Sequence, residues 1–503
     1  RGTRLVMVTL DLIGATPAQA ADRRAAPPPS GADNHHAAAA DPLGDLVGRE
    51  ATAQSLTPRA VNDLIDACRR QGIGEERIAG IVHEKASTLK ELAARLKSLE
   101  GAAQSDPLIE GMRGQALTAV LDGDLTAAAA LLSGIEARLL NAGESALPAR
   151  VAADIHVACG LLDEALLQPR AAAGHYAAAL EAAPRQEPSL RWSIALRQGA
   201  ALVSEAEQHG SQRALDEAIR VYARALGLMP AEQAPDLWLV TQNCLGNALL
   251  RLGEAQGKGD LLELAANAYR SAAGVMDRTR SPREWALVQS NLGTALLKAG
   301  ERVNPERNYD EAAACFDRAL EQLSWDGAPA DWAAAEAGRG MARGRLGAIR
   351  GDLAMLERTA RSVDTALARS SRQLAPSQWA RLQSCLGNIC ADLGERIGGR
   401  HWLERAVKAY AAAQEEWTRE RAPLQWALSE ANRATALWAL GTLAGIRRLQ
   451  EEAQSSLEGV ERMFLKLGQE GYAAAARESR TALAAGVSAP SVAEGLHAGG
   501  VRA

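Results

Sequence analysis

His83-Glu84 could open a zinc-hydrolase helix, in which two histidines four residues apart hold the metal and the glutamate takes a proton from bound water; the second histidine is missing. Gly253 to Gly259, reading GEAQGKG, resembles a phosphate loop, whose backbone N–H groups would cradle an anion. Its spacing is one residue short before Gly257-Lys258, Gly259 stands where Ser or Thr is needed, and a helix precedes it where a strand is required, so it reads as a helix-end loop. No serine sits on a nucleophile elbow. The eight histidines do not fall with cysteines or carboxylates at metal-ligand spacing, and the six cysteines (Cys68, Cys159, Cys244, Cys315, Cys385, Cys390) contain no CxxC pair. The cysteines read as reduced core or groove residues. No catalytic residue, metal or cofactor is expected, and the chain reads as non-enzymatic.

What is regularly spaced is tryptophan. Trp192, Trp238, Trp285, Trp332, Trp379 and Trp426 are separated by 46, 47, 47, 47 and 47 residues, so more than half of the 503-residue chain is one unit repeated. Pro235, Pro282, Pro329, Pro376 and Pro423 precede five of them by three residues, and Gly253, Gly300, Gly347, Gly394 and Gly441 follow by fifteen. Proline suits a first helical turn, where its absent N–H would be unpaired anyway, and glycine takes the left-handed conformation that closes a helix. Each Pro-to-Gly stretch is therefore expected to be one helix. The shorter first interval is read as a residue missing from the loop between helices, since Ala200 to Ala218 spans 18 residues where later copies span 19.

Composition agrees with an all-α chain. Alanine dominates, aromatic residues make up 4% with two Phe in all, and strand-like runs are scarce. Lys+Arg and Asp+Glu total 56 and 61, so no global field draws the protein to nucleic acid or an acidic membrane. No run of 18 apolar residues predicts a membrane span.

Aligned copies give a two-helix unit. The first helix carries Leu245-Gly246, Leu292-Gly293 and Leu386-Gly387; the second carries Ala265/Tyr269/Ala272, Ala312/Phe316/Ala319 and Ala406/Tyr410/Ala413, with small, aromatic and small residues on one face. This pattern resembles the tetratricopeptide repeat. Gly160, Ala172, Tyr176, Ala179 and Pro184 match the 34-residue spacing of that family throughout, and Ala116, Gly123-Asp124 and Ala128 form a weaker earlier copy. The later copies are 13 residues longer, read as seven residues entering between the helices and six between units. Trp285-Ala286 through Asn291-Leu292-Gly293 resembles the bacterial subgroup with long units written W-A-x-x-x-x-N-L-G. The Trp332 copy departs, with Thr359 and Val363 in place of Ala and aromatic, and the Trp426 copy has Ala434 for Gly. The resemblance implies a right-handed α-solenoid of tetratricopeptide-like helix pairs over 109–486, closed by a capping helix near Gly471 to Ala484.

Outside the repeats, residues 1–56 are expected to be a disordered linker or targeting segment. Arg1, Arg4, the apolar stretch Leu5 to Ala15 and Ala18-Gln19-Ala20 resemble a secretory signal. Asp11 opposes it at about 3 kcal/mol, and the alternative is the tail of a domain upstream of Arg1. A cytoplasmic location is expected unless residues 1–20 direct export. Pro27-Pro28-Pro29, His35-His36 and an Ala run over 22–56 lack helical periodicity. A small helical module spans 57–101, with Thr57-Pro58 opening one helix and a second running from about Glu75 to Leu99 on the stripe Ile78, Ile81, Leu89, Leu92, Leu96. Residues 487–503 are expected to be a disordered tail.

In tetratricopeptide proteins the first helices line a groove that receives a peptide or helix of a partner. The resemblance places groove positions three before, one after and five after the mid-helix glycine: Asn243, Asn247 and Arg251; Ser290, Thr294 and Lys298; Ala337, Met341 and Arg345; Ser384, Asn388 and Asp392. Amides and hydroxyls beside a basic track of Arg251, Lys298 and Arg345 suit an extended acidic protein segment, although the cations also suit solvated helix ends. Trp438, outside the tryptophan register, is a candidate hot spot, whereas the six in register read as packing residues. The leading expectation is a non-enzymatic protein-binding scaffold. Two others stand beside it: the sensor arm of a larger signalling protein whose effector lies upstream, and nucleic-acid binding by 57–101 through Arg59, Arg69, Arg70, Arg77 and Lys85, opposed by Asp63, Asp66, Glu75 and Glu76.

Overall fold

The structure, a computed structural model, describes residues 42–54, 56–102, 106–142 and 147–485. The expected targeting segment, most of the linker and the tail 487–503 lie outside the described residues, as do the side chains of Glu75, Glu76 and Arg77. Among the described residues there are twenty helices and no strand, and the fold is an all-α solenoid. No described helix is long and apolar enough to cross a membrane. The chain divides into two compact units, 15–255 and 256–503.

The first unit contains α1 (Pro42–Gln54), α2 (Pro58–Arg70), α3 (Glu75–Ser98), α4 (Pro107–Asp122), α5 (Leu125–Ala142), α6 (Ala149–Ala165), α7 (Pro169–Ala182), α8 (Pro188–His209), α9 (Gln212–Leu228) and the body of α10 (Pro235–Gln256). The second contains α11 (Gly259–Val275), α12 (Pro282–Gly300), α13 (Pro305–Leu320), α14 (Pro329–Arg350), α15 (Leu353–Arg369), α16 (Pro376–Ile397), α17 (Arg400–Glu416), α18 (Pro423–Ala444), α19 (Arg447–Lys466) and α20 (Glu470–Ala484). In the second unit each helix from α11 to α20 packs on the next, and the first helices of successive pairs also touch, α12 with α14, α14 with α16 and α16 with α18. The last helix packs on α19. Its Ala473, Ala476 and Leu483 are buried with Leu457 and Phe464 of α19, and Tyr472 stacks on Phe464 at 5.4 Å.

The repeat is 47 residues throughout, but proline keeps the period better than tryptophan. Pro188, Pro235, Pro282, Pro329, Pro376 and Pro423 open six first helices at intervals of 47. A left-handed residue follows each proline by 22: Gly210, Gly257, Asn304, Gly351, Gly398 and Gly445, with φ of 66, 63, 46, 66, 65 and 66°. The expected stop at Gly253, Gly300, Gly347, Gly394 and Gly441 is therefore wrong by one turn, and all five are still helical. Their smallness serves packing. A Cβ at Gly300 would lie 2.6 Å from the Tyr309 ring, and one at Gly394 would lie 2.6 Å from Leu403, so these glycines let the second helix begin against the first.

The short first tryptophan interval has a different cause from the one expected. Pro188 is in register, and the mid-helix glycine of that copy is Gly199, where a Cβ would meet the Tyr222 ring at 2.3 Å. Gly293 against Phe316 and Gly387 against Tyr410 repeat this contact at 2.9 and 2.7 Å. Gly199 to Ala218 spans the usual 19 residues, so the loop lacks nothing and Trp192 alone is displaced by one. The expected insertion between the helices is also relocated. In the short pair α6 ends five residues after Gly160 and α7 begins three before Ala172; in the long pair α16 ends ten after Gly387 and α17 begins six before Ala406. The extra residues lengthen both helices, about two turns shared between antiparallel partners, and leave the connection short.

Residues 42–54 correct the linker expectation. They form α1, which buries Leu46 and Ala51 and packs on α2 and α3, so tertiary contact stabilises a segment whose own sequence is weakly periodic. The expected module 57–101 does fold: the Thr57 side chain accepts from Ala60 N, and the buried stripe of α3 is Ile78, Val82, Ala86, Leu89, Leu92 and Leu96, with Ile81 half-exposed. It is not separate from the repeats, because α2 and α3 pack on α4, and α3 also packs along α6.

Candidate functional site

In the unit 15–255, α3 lies on the face of α6 that corresponds to the groove. Arg95 donates to Asp154 Oδ1 at 2.6 Å. At the other end Lys85 lies in the field of Glu164; burial opposes its charge, but Glu84 and Glu164 outweigh that and raise its pKa. The two helices therefore run antiparallel. Val157, Leu161 and Ala165, which stand three before, one after and five after Gly160, are all buried. Arg197 of α8 fastens the same helix by gripping both Glu91 carboxylate oxygens at 2.6 and 2.7 Å. The first-helix face of this repeat thus already holds an amphipathic helix of the same chain.

Asn243, Asn247 and Arg251 of α10 are half-exposed, and Arg251 meets Glu207 at 2.6 Å. In the unit 256–503, Ser290, Thr294 and Lys298 are half-buried on α12; Thr294 donates to Ser290 O at 2.9 Å and Lys298 lies 3.9 Å from Glu301. Ala337 is buried. Met341, Arg345, Asn388 and Asp392 come together with Leu297, Glu301, Gly344, Cys385 and Ile389 around one open cavity formed by α12, α14 and α16. Asn388 accepts from Tyr410 Oη at 2.7 Å and from Asn432 Nδ2 at 3.2 Å. Trp438 is partly buried against the core of α18 to α20.

The expected basic track does not stand unopposed. Arg251 has Glu207, Lys298 has Glu301, and Arg345 shares its cavity with Glu301 and Asp392. The face is mixed in charge, which suits an amphipathic helix with both signs better than a purely acidic segment. Of the arginines of 57–101, Arg59 meets Asp124 at 2.8 Å and Arg69 lies 3.6 Å from Asp66.

The tryptophan ladder is packing. Trp192 Nε1 donates to Thr241 Oγ1 at 2.8 Å, and Trp285 and Trp332 are buried. Arg278, Arg372 and Arg419 lie over Trp285, Trp379 and Trp426 at 5.0, 5.1 and 4.2 Å. Each arginine is seven residues before its ring; Trp325 holds that position before Trp332 and meets it edge-on at 5.7 Å. Trp325 thus stands where those three copies carry the arginine.

All six cysteines are free and buried, as expected of reduced core residues. The expectation that no histidine clusters with cysteine or carboxylate is overturned. Glu136 Oε1 of α5 is 2.8 Å from Nδ1 of both His156 of α6 and His175 of α7. His175 Nε2 lies 3.2 Å from Asp163 Oδ2, and the buried Cys159 thiol lies in the field of Glu136. Burial opposes the Glu136 charge, but hydrogen bonds from the two histidines outweigh it and hold the carboxyl at about 2. Asp163 first, then Glu136, pushes His175 up to about 9. Burial, helped by Glu136, lifts the Cys159 thiol well above its ordinary value. Sequence spacing concealed the cluster because three helices supply it. Its signal was polarity at positions that are buried core in several other copies, where Cys159 is replaced by Leu292 and Leu386, Asp163 by Leu249 and Leu296, and His175 by Ala268 and Ala409; the Trp332 copy carries Arg339, Arg343 and Ser362 there.

No known protein family matches the chain, and no curated protein matches it.

Proposed function

We propose that the protein is a non-enzymatic interaction scaffold of tetratricopeptide type that takes an amphipathic helix of a partner protein on the first-helix face of α12, α14 and α16. The observation that carries this reading is α3. On α6 the equivalent face is apolar and holds a helix through apolar contact plus ion pairs at its ends. On α14 and α16 the same repeat positions are Met341, Arg345, Asn388 and Asp392, half-exposed around an open cavity. A methionine in a mixed-charge depression suits a helix with an apolar stripe and flanking charges of both signs.

The test is site-specific photocrosslinking with the full chain in its native extract. A photoreactive residue at Met341 is expected to trap a partner, and the same group at Arg361, on the exposed side of α15, is not. Equal trapping at both positions, or trapping only at Arg361, contradicts the assignment.

A further inference from the structure

We propose that Glu136, His156, Cys159 and His175 form a structural zinc site that ties α5, α6 and α7 together, with Asp163 orienting His175. The donor set is two imidazoles, a carboxylate and a thiol, the ligand types Zn2+ takes in closed four-coordinate sites. Nitrogen and oxygen donors from three helices already converge: Glu136 Oε1 is 2.8 Å from both imidazole Nδ1 atoms, and the three donor atoms lie within 4.8 Å of one another. Cys159 stands one turn after His156 on α6 and in the field of the same carboxylate, outside that 4.8 Å set, and a turn of its side chain would supply the fourth ligand.

The second observation is His175 itself. Its Nδ1 faces the cluster while Nε2 faces Asp163 Oδ2 at 3.2 Å, and that oxygen is buried and makes no well-aligned hydrogen bond. A ligating histidine ordinarily gives its other ring N–H to a carboxylate, which fixes ring orientation and raises its basicity. The third observation comes from the repeat. Cys159, Asp163 and His175 stand where Leu292 and Leu386, Leu249 and Leu296, and Ala268 and Ala409 are buried core in other copies, so this pair gives up apolar packing among α5, α6 and α7 for convergent ligands. A cation at their centre restores a bond between those helices.

The test uses the full chain, stripped by a chelator and titrated with Zn2+ and Co2+. Wild type is expected to take one Zn2+ per chain with a rise in thermal midpoint, and Co2+ to give a thiolate charge-transfer band. Changing His156→Ala and His175→Ala together should weaken Zn2+ binding by more than about 100-fold, and Cys159→Ser should remove the Co2+ thiolate band. Folded wild type that takes no stoichiometric Zn2+ overturns the proposal. Should the histidine variant not fold, the cysteine variant decides: a thiolate band that persists in Cys159→Ser overturns the site, and its loss supports it.

Discussion

The first-helix face of α6 and that of α14 and α16 occupy the same place in the repeat, yet they are built differently. On α6 the face reads Val157, Leu161, Ala165 and is closed by α3; on α14 and α16 it reads Met341 and Arg345, Asn388 and Asp392 and is open to solvent. Apolar side chains are affordable at such positions only under permanent cover, whereas a face that must stay soluble alone and still bind carries amides, charges and one flexible thioether. The difference teaches that one repeat position can be closed by a helix of the same chain or left half-exposed, according to the residues that stand there; on the proposed function, the open face is the one that takes a partner.

The comparison breaks first at the covered face. Leu92→Ala in α3 should destabilise the full chain by about 2–5 kcal/mol, because Leu92 is completely buried; denaturant melts followed by circular dichroism measure it, and a loss below about 1 kcal/mol would mean that α3 contributes little cover. Asp154→Ala removes the acceptor of Arg95 and Arg150 and should cost about 2 kcal/mol. A smaller effect is set by pH in α18. Burial opposes the Glu430 charge, but hydrogen bonds from Arg433, Gln414 and Ser456 outweigh it and keep the carboxyl below its ordinary range. A lowered folded pKa means that this stabilisation is complete above the ordinary carboxylate value and disappears as pH falls through the folded one. Glu430→Gln should therefore flatten the fall in stability with acid; an unchanged slope would remove Glu430 from the account. The open face should respond least: Met341→Ala is expected to shift stability by less than about 0.5 kcal/mol, and a core-like loss there would erase the contrast with α6.

Legibility followed locality. The first helices, the aromatic second-helix face and the last helix α20 were readable because proline, Gly-Tyr pairs and Ala recur in phase. The stop signal was misplaced because Gly394 and Gly398 are one turn apart, and sequence alone does not say which glycine is left-handed and which makes room for Leu403. Asn304 at the same position is the clue that was available. The candidate face was named in the sequence as a set of positions, and the structure adds Glu207 beside Arg251, Glu301 beside Lys298, and Glu301 and Asp392 in the cavity that Arg345 lines. The covering by α3 and the cluster at Glu136 were not legible, since both depend on contacts between segments far apart in sequence.

The most direct measurement of the central claim is a comparison of photocrosslinks from Asn388 and from Leu161 in the full chain. Asn388 should trap a segment of another protein that lies helically along α14 and α16, while Leu161 should trap only α3. A partner trapped from Leu161, or α3 trapped from Asn388, would contradict the contrast between the filled face of α6 and the proposed receptive face of α14 and α16.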